Sequence, residues 1–155
     1  MNNKNNNDIE KALFVLNNAK VFLVSSLPNH TGGKFLCSLL DSHKDLFAMP
    51  CSIHAILPPT EKKLPSIETL FSRMRDDHVY FQIYNQLKEN NCLHKIKLVT
   101  ERLGSSLKIY VLSIIYFYHI SKNINPKKNI FVIHTHDIKK TEVYLRRIEN
   151  AKLIH

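Results

Sequence analysis

Apolar residues along this 155-residue chain occur in two rhythms, short continuous runs and longer runs with helical spacing. Val21-Phe22-Leu23-Val24-Ser25 and Ile130-Phe131-Val132-Ile133 are continuous, and each ends in polar residues, the signature of a strand buried on both faces. Ile9, Ala12, Leu13, Val15 and Leu16 share one side of a short helix predicted over Ile9 to Asn18. Ahead of it, Met1 to Asp8 is an asparagine-rich tail, so residues 1–19 read as a tail and a short helix. Residues 20–155 read as a single α/β domain, with no internal repeat and no boundary that divides it.

A helix is predicted roughly over Lys34 to Ser42, after the first strand. Pro50, Pro58, Pro59 and Pro65 then punctuate Met49 to Leu64, predicting an irregular surface segment. From Ser66 onward, Ile67, Leu70, Phe71 and Met74, followed by Val79, Phe81, Ile83, Tyr84 and Leu87, predict two helices broken near Asp76-Asp77, the second ending at Lys88 to Asn91. Gly104-Ser105-Ser106 starts a helix over Leu107 to Ser121, and Asn123 to Lys128 with Pro126 ends it. A short helix over Tyr144 to Asn150 and a last strand from Ala151 complete the order. Strands alternating with helices predict a three-layer α/β/α domain around a parallel sheet.

Composition narrows the class. A hydrophobic fraction of 44% and a charged fraction of 23% are those of a globular domain. The longest apolar stretch, Leu107 to Ile120, carries Lys108 and falls short of the roughly 20 residues that span a bilayer. The start of the chain lacks the apolar core of a secretory signal, and an odd count of three cysteines, Cys37, Cys51 and Cys92, suits reduced thiols, so a cytoplasmic setting is expected. The net charge of +9 comes from scattered pairs such as Lys62-Lys63, Lys127-Lys128 and Arg146-Arg147, with no basic block or RNA-binding aromatic signature. That pattern argues against a nucleic-acid partner and suits a small polyanion.

The chemistry concentrates after the first strand. Of three glycines in the chain, Gly32 and Gly33 stand together in Asn29-His30-Thr31-Gly32-Gly33-Lys34-Phe35, between an apolar strand and a helical pattern. Paired glycines let successive backbone N–H groups turn inward, and a following helix adds its positive end, which together make a phosphate cradle. His30, Thr31 and Lys34 add donors. A tight strand-to-helix turn with a solvated lysine is the alternative.

The stretch Ser25 to His43 resembles the 5′-phosphosulfate loop of the sulfotransferases that use 3′-phosphoadenosine 5′-phosphosulfate (PAPS), which reads basic-Ser-Gly-hydroxyl-hydroxyl-aromatic-Leu and is followed in many bacterial members by Leu-Leu-Asp-x-His. His30 falls on the basic position, Thr31 on the serine, Gly32 on the glycine, and Phe35 and Leu36 on the apolar pair, with Leu39-Leu40-Asp41-Ser42-His43 in register. Gly33 and Lys34 stand where the family carries hydroxyls, and His30 where it carries lysine or arginine. His134-Thr135-His136 is similar to the family's Lys-Thr-His, whose histidine is the base that takes the acceptor's proton, and Ala151 to His155 is similar to the start of the strand that comes next.

The resemblance implies a P-loop-like fold, PAPS as sulfonate donor, no metal ion, and an acceptor that is a carbohydrate, lipid, small molecule or protein. It implies His136, His30 and Lys34 as catalytic residues and Asn29, His30, Thr31, Gly32, Gly33, Lys34 and Phe35 as the donor site. The family's 3′-phosphate segment would follow His155, so the resemblance covers an N-terminal portion; this form is expected to be incomplete, and its activity stays open.

Other readings stay open as well. Gly33-Lys34 fits the end of a P-loop kinase or NTPase motif, although Pro28 and Phe35 stand at its first glycine and its magnesium-binding hydroxyl. His134 and His136, two apart on a strand, share a face and with Asp137 nearby offer a zinc pair. A noncatalytic binding domain is the third alternative.

Overall fold

The structure, a computed structural model, describes residues 3–25, 39–40, 43–49, 51–58, 63–135 and 138–154. Helix α1 (Asn3–Asn17) leads into strand β1 (Lys20–Ser25), followed by a two-residue strand β2 (Phe47–Ala48) and a 3₁₀ turn (Ile53–Ala55). Helices α2 (Ile67–Asp76), α3 (Tyr80–Glu89), α4 (Cys92–Leu103) and α5 (Leu107–Ser121) come next. Strand β3 (Ile130–Thr135), helix α6 (Ile138–Arg147) and strand β4 (Lys152–Ile154) complete the described elements. The four strands form one all-parallel sheet in the order β2-β3-β1-β4, so the fold is α/β as expected. No helix among the described residues is long and apolar enough to cross a membrane.

Local chemistry sets most of the boundaries. Ser66 Oγ accepts from Thr69 N at the start of α2, and Ser106 Oγ accepts from Ile109 N at the start of α5, each relieving one of the unpaired N–H groups of a first turn. Asp77 Oδ1 accepts from the N–H groups of Val79 and Tyr80, which breaks α2 from α3 where the sequence predicts. Asn91, Asn123 and Asn150 take positive φ values of 54°, 59° and 61°, conformations asparagine tolerates, and Gly104 takes φ 86° between α4 and α5.

Four expectations are corrected. The asparagine-rich tail is helical from Asn3, because Ile9, Ala12, Val15 and Leu16 dock in the core and Asp8 pairs with Lys95 of α4 at 2.7 Å, and extending an anchored helix avoids a new nucleation cost. The stretch around residues 51–57 is not a surface segment: Met49, Ile53, Ile56 and Leu57 are at most 2% exposed. Helix α4 has no counterpart in the predicted order; Cys92, Ile96, Val99 and Thr100 bury one side of it. Helix α6 begins at Ile138 and ends at Arg147, earlier than the predicted Tyr144 to Asn150, since burial of Thr141 and Tyr144 fixes it directly behind β3. Leu39 and Leu40 are helical, and the rest of the predicted Lys34 to Ser42 helix lies outside the described residues.

One sheet face carries Val21, Leu23 and Ser25 of β1 beside Phe131, Ile133 and Thr135 of β3. Phe47 of β2 stacks on Phe131 at 4.6 Å and meets Tyr116 and His119 of α5 at 5.4 and 5.5 Å. Helix α5 therefore covers this face, and burial on nearly every side explains its predominantly apolar sequence. His119 is fully buried there. Its Nδ1 donates to the Ile115 carbonyl at 2.9 Å, and its Nε2 accepts from Ala48 N at 3.4 Å, which together specify the neutral tautomer with the proton on Nδ1. The ring thus satisfies a backbone N–H of the outermost strand.

Replacing His119 by leucine keeps an apolar shape but strands that buried N–H. His119→Leu is expected to lower unfolding free energy by about 1–3 kcal/mol in urea melts, and an unchanged midpoint would show that the contact carries no net stability.

Candidate functional site

Strands β1 and β3 are neighbours in the sheet and run in full register, Lys20 opposite Ile130 through Ser25 opposite Thr135. Their carboxyl ends therefore lie at one level. From there the chain diverges: the segment after β1 leads past β3 to β2, whereas β3 continues through α6 past β1 to β4. Adjacent parallel strands whose connections leave toward opposite edges form a topological switch point, where open α/β sheets leave a crevice beyond the strand ends.

Every sequence-predicted site residue belongs to the two segments that leave this point. Asn29, His30, Thr31, Gly32, Gly33, Lys34 and Phe35 follow β1, His136 is the first residue after β3, and all of them, with Asp137, lie outside the described residues. What the structure fixes is their anchorage. Thr135, fully buried, donates from Oγ1 to the Val24 carbonyl at 3.4 Å and forms a short hydrogen bond with Thr141 Oγ1 of α6. The bond lashes the end of β3 to the end of β1 and to the helix beyond it. Ser25 Oγ, across the register from Thr135, is buried without a hydrogen-bond partner among the described residues.

His134 sits one residue inside the strand, 3% exposed, opposite Val24 and on the other sheet face from Thr135. The zinc reading needs His136 and Asp137 beside it, and those two are outside the described residues. Among the described residues no group of three or more histidine, cysteine or acidic side chains is gathered. Helix α6 starts two residues beyond His136, and its first turn holds Lys139 and Lys140 and no acidic residue.

A second cluster was not foreseen. His54, in the turn after β2, stacks on Tyr144 of α6 with ring centroids 5.3 Å apart and planes 11° apart. The Tyr144 hydroxyl donates to the Leu57 carbonyl at 2.6 Å and lies 3.0 Å from His54 Nδ1. Because the carbonyl only accepts, it takes the tyrosine proton, and His54 donates Nδ1–H to the phenol oxygen. Nearby, Tyr80 OH donates to the Ser52 carbonyl at 3.0 Å. These bonds pin the 51–57 turn to α3 and α6. No sequence signal pairs His54 with a tyrosine 90 residues away.

Burial shapes the titration of these phenols. It pushes Tyr80 and Tyr144 well above the ordinary tyrosine range and Tyr116 up to about 12, with Cys51 the next cause at Tyr80 and Asp8 at Tyr116. The chain matches no protein-family model, no curated protein and no solved structure.

The alkaline limb of stability follows from these phenols. Folded tyrosines that keep their proton while unfolded ones lose it above about pH 10 make the folded state the more protonated, so stability falls as pH rises, by up to about 1.4 kcal/mol per pH unit per tyrosine. Tyr116→Phe is expected to lessen that slope between pH 10 and about 12, measured as urea midpoint against pH; an identical slope would mean that Tyr116 ionises without opposing the fold.

Proposed function

We propose that this chain is a PAPS-dependent sulfotransferase-like protein that passes a sulfonate to a hydroxyl or amine acceptor. The supporting observation is the Ser25–Thr135 register, which starts the two motif-bearing segments side by side at a switch point. A glycine-rich turn and a histidine far apart in sequence have no reason to work together unless their strands end together. Here they do. The three-layer, P-loop-like arrangement, the cytoplasmic setting and the absence of a metal requirement belong to the same reading.

In this reading the backbone N–H groups around Gly32 and Gly33, with Thr31, Lys34 and His30, neutralise charge on the bridging and equatorial oxygens of the phosphosulfate. His136 takes the acceptor's proton as the new sulfur–oxygen or sulfur–nitrogen bond forms and the old sulfur–oxygen bond breaks, releasing adenosine 3′,5′-bisphosphate. Thr135 acts through its neighbour: holding the strand end to Val24 and Thr141 limits where the next residue can start. The Gly33-Lys34 pair favours one other reading, a P-loop kinase or NTPase using ATP and magnesium.

A thermal-shift titration separates them. At a hundred times its dissociation constant a ligand stabilises the folded state by about 2.7 kcal/mol, and adenosine 3′,5′-bisphosphate is expected to shift the melting temperature more than ATP with magnesium. The reverse preference would favour the kinase, and no shift with either would count against a nucleotide site. Gly32→Val is expected to abolish the bisphosphate shift with the unliganded melting temperature nearly unchanged. Once an acceptor is found, His136→Ala is expected to lower turnover by about 10²-fold or more at little changed nucleotide affinity; parallel losses of stability and activity would make the histidine structural.

A further inference from the structure

A cleft of about 260 Å³ lies between α1 and the carboxyl end of α5, built by elements that lead into β1 and β3 rather than out of them. Phe117, Ile120 and Ile124 make its apolar side, and Asp8, Lys11 and the Tyr116 phenol its polar side. The turn that closes it is fixed by its own hydrogen bonds. Asn123 takes φ 59° and donates its N–H to the Ile120 carbonyl at 3.0 Å, and Ile124 N–H donates to the His119 carbonyl at 2.9 Å, the paired bonds of a left-handed helix end. Lys11 Nζ donates to Asn125 Oδ1 at 3.2 Å, which ties α1 to this turn.

The Tyr116 hydroxyl leaves this cleft chemically incomplete. The residue is only 2% exposed, yet its O–H has no hydrogen-bond partner among the described residues. Tyr80 and Tyr144, by contrast, each donate to a carbonyl. Burial pushes the Tyr116 phenol up to about 12, with the nearby Asp8 charge adding to the effect, so at neutral pH it stays a donor. Asp8 accepts from Lys95 through Oδ2 at 2.7 Å, and its Oδ1 accepts no hydrogen bond among the described residues. Lys11 directs one of its three N–H groups to Asn125. Three residues apart on one helix, the two charges sit side by side along the cleft. A lone anion would meet Asp8 here, and a lone cation would meet Lys11. A ligand with a carboxylate and an ammonium on adjacent atoms meets each charge with its opposite, and the apolar side takes a short hydrocarbon branch.

We infer that this cleft binds a free α-amino acid with an apolar side chain, its ammonium on Asp8, its carboxylate on Lys11 and the Tyr116 hydroxyl, and its branch against Phe117, Ile120 and Ile124. The site is independent of the phosphosulfate reading. L-Leucine is the probe; 4-methylpentanoate lacks its ammonium, and 3-methylbutylamine lacks its carboxylate. In a ¹⁵N-labelled sample, leucine is expected to shift the amides of residues 8–11 and 116–125 saturably, and each one-charge match to bind about tenfold or more weakly. Lys11→Met, at an exposed position of α1, is expected to weaken leucine by about tenfold or more, and Tyr116→Phe by about fivefold. Absence of saturable shifts up to the solubility limit, equal binding of either one-charge match, or full leucine affinity in either variant that melts like the wild type would each overturn the inference. If Tyr116→Phe fails to fold, Lys11→Met decides alone, with weaker leucine binding expected and unchanged affinity counting against the site.

Discussion

A helix that is apolar around almost its whole circumference can exist in water only if something encloses it, and α5 imposes that demand on this chain. Helices α1, α3 and α4 and the edge of the sheet all pack against it. Those elements are amphipathic or small, and each buries part of its apolar side on this shared partner. The sheet follows the same logic: Phe47 lies between the Phe131 ring and the rings of Tyr116 and His119, so the outermost strand is held as much by the helix as by its neighbour. A two-residue strand has little pairing energy of its own, and His119 supplies the partner that its outer N–H lacks.

Much of this was legible in the sequence because burial leaves a composition signal. The run from Leu107 to Ser121 and the continuous strands β1 and β3 were readable within a residue or two, since only surrounded elements carry so few polar residues. Caps were readable too: Ser66, Asp77 and Ser106 announce helix starts by their own hydrogen-bonding chemistry. Elements stabilised from outside were not. Residues 3–8 are polar yet helical because the apolar side of α1, from Ile9 to Leu16, docks in the core and carries them along, and Phe47-Ala48 is too short to show a period. Helix α4 was hidden because its buried stripe of Cys92, Ile96 and Val99 is thin.

The candidate site divides along the same line. Glycine pairs, a following lysine and a strand ending in histidine are local patterns, and the sequence shows them. That their strands are adjacent and level is a property of the sheet, visible only in the β1–β3 register. The His54–Tyr144 stack and the Thr135–Thr141 bond are meetings of ordinary residues from separate elements. No spacing rule anticipates them.

The central pairing also has a temporal side. Strand β1 finds its partner β3 about 110 residues later, whereas α2 to α5 contact one another over short separations. On the ribosome the helical group is synthesised in full before β3 emerges, and until then Val21 and Leu23 have no strand to lie against. The early part of the nascent chain thus carries an unpaired, strongly apolar strand through most of its synthesis, the condition under which chaperones engage and under which aggregation competes with folding.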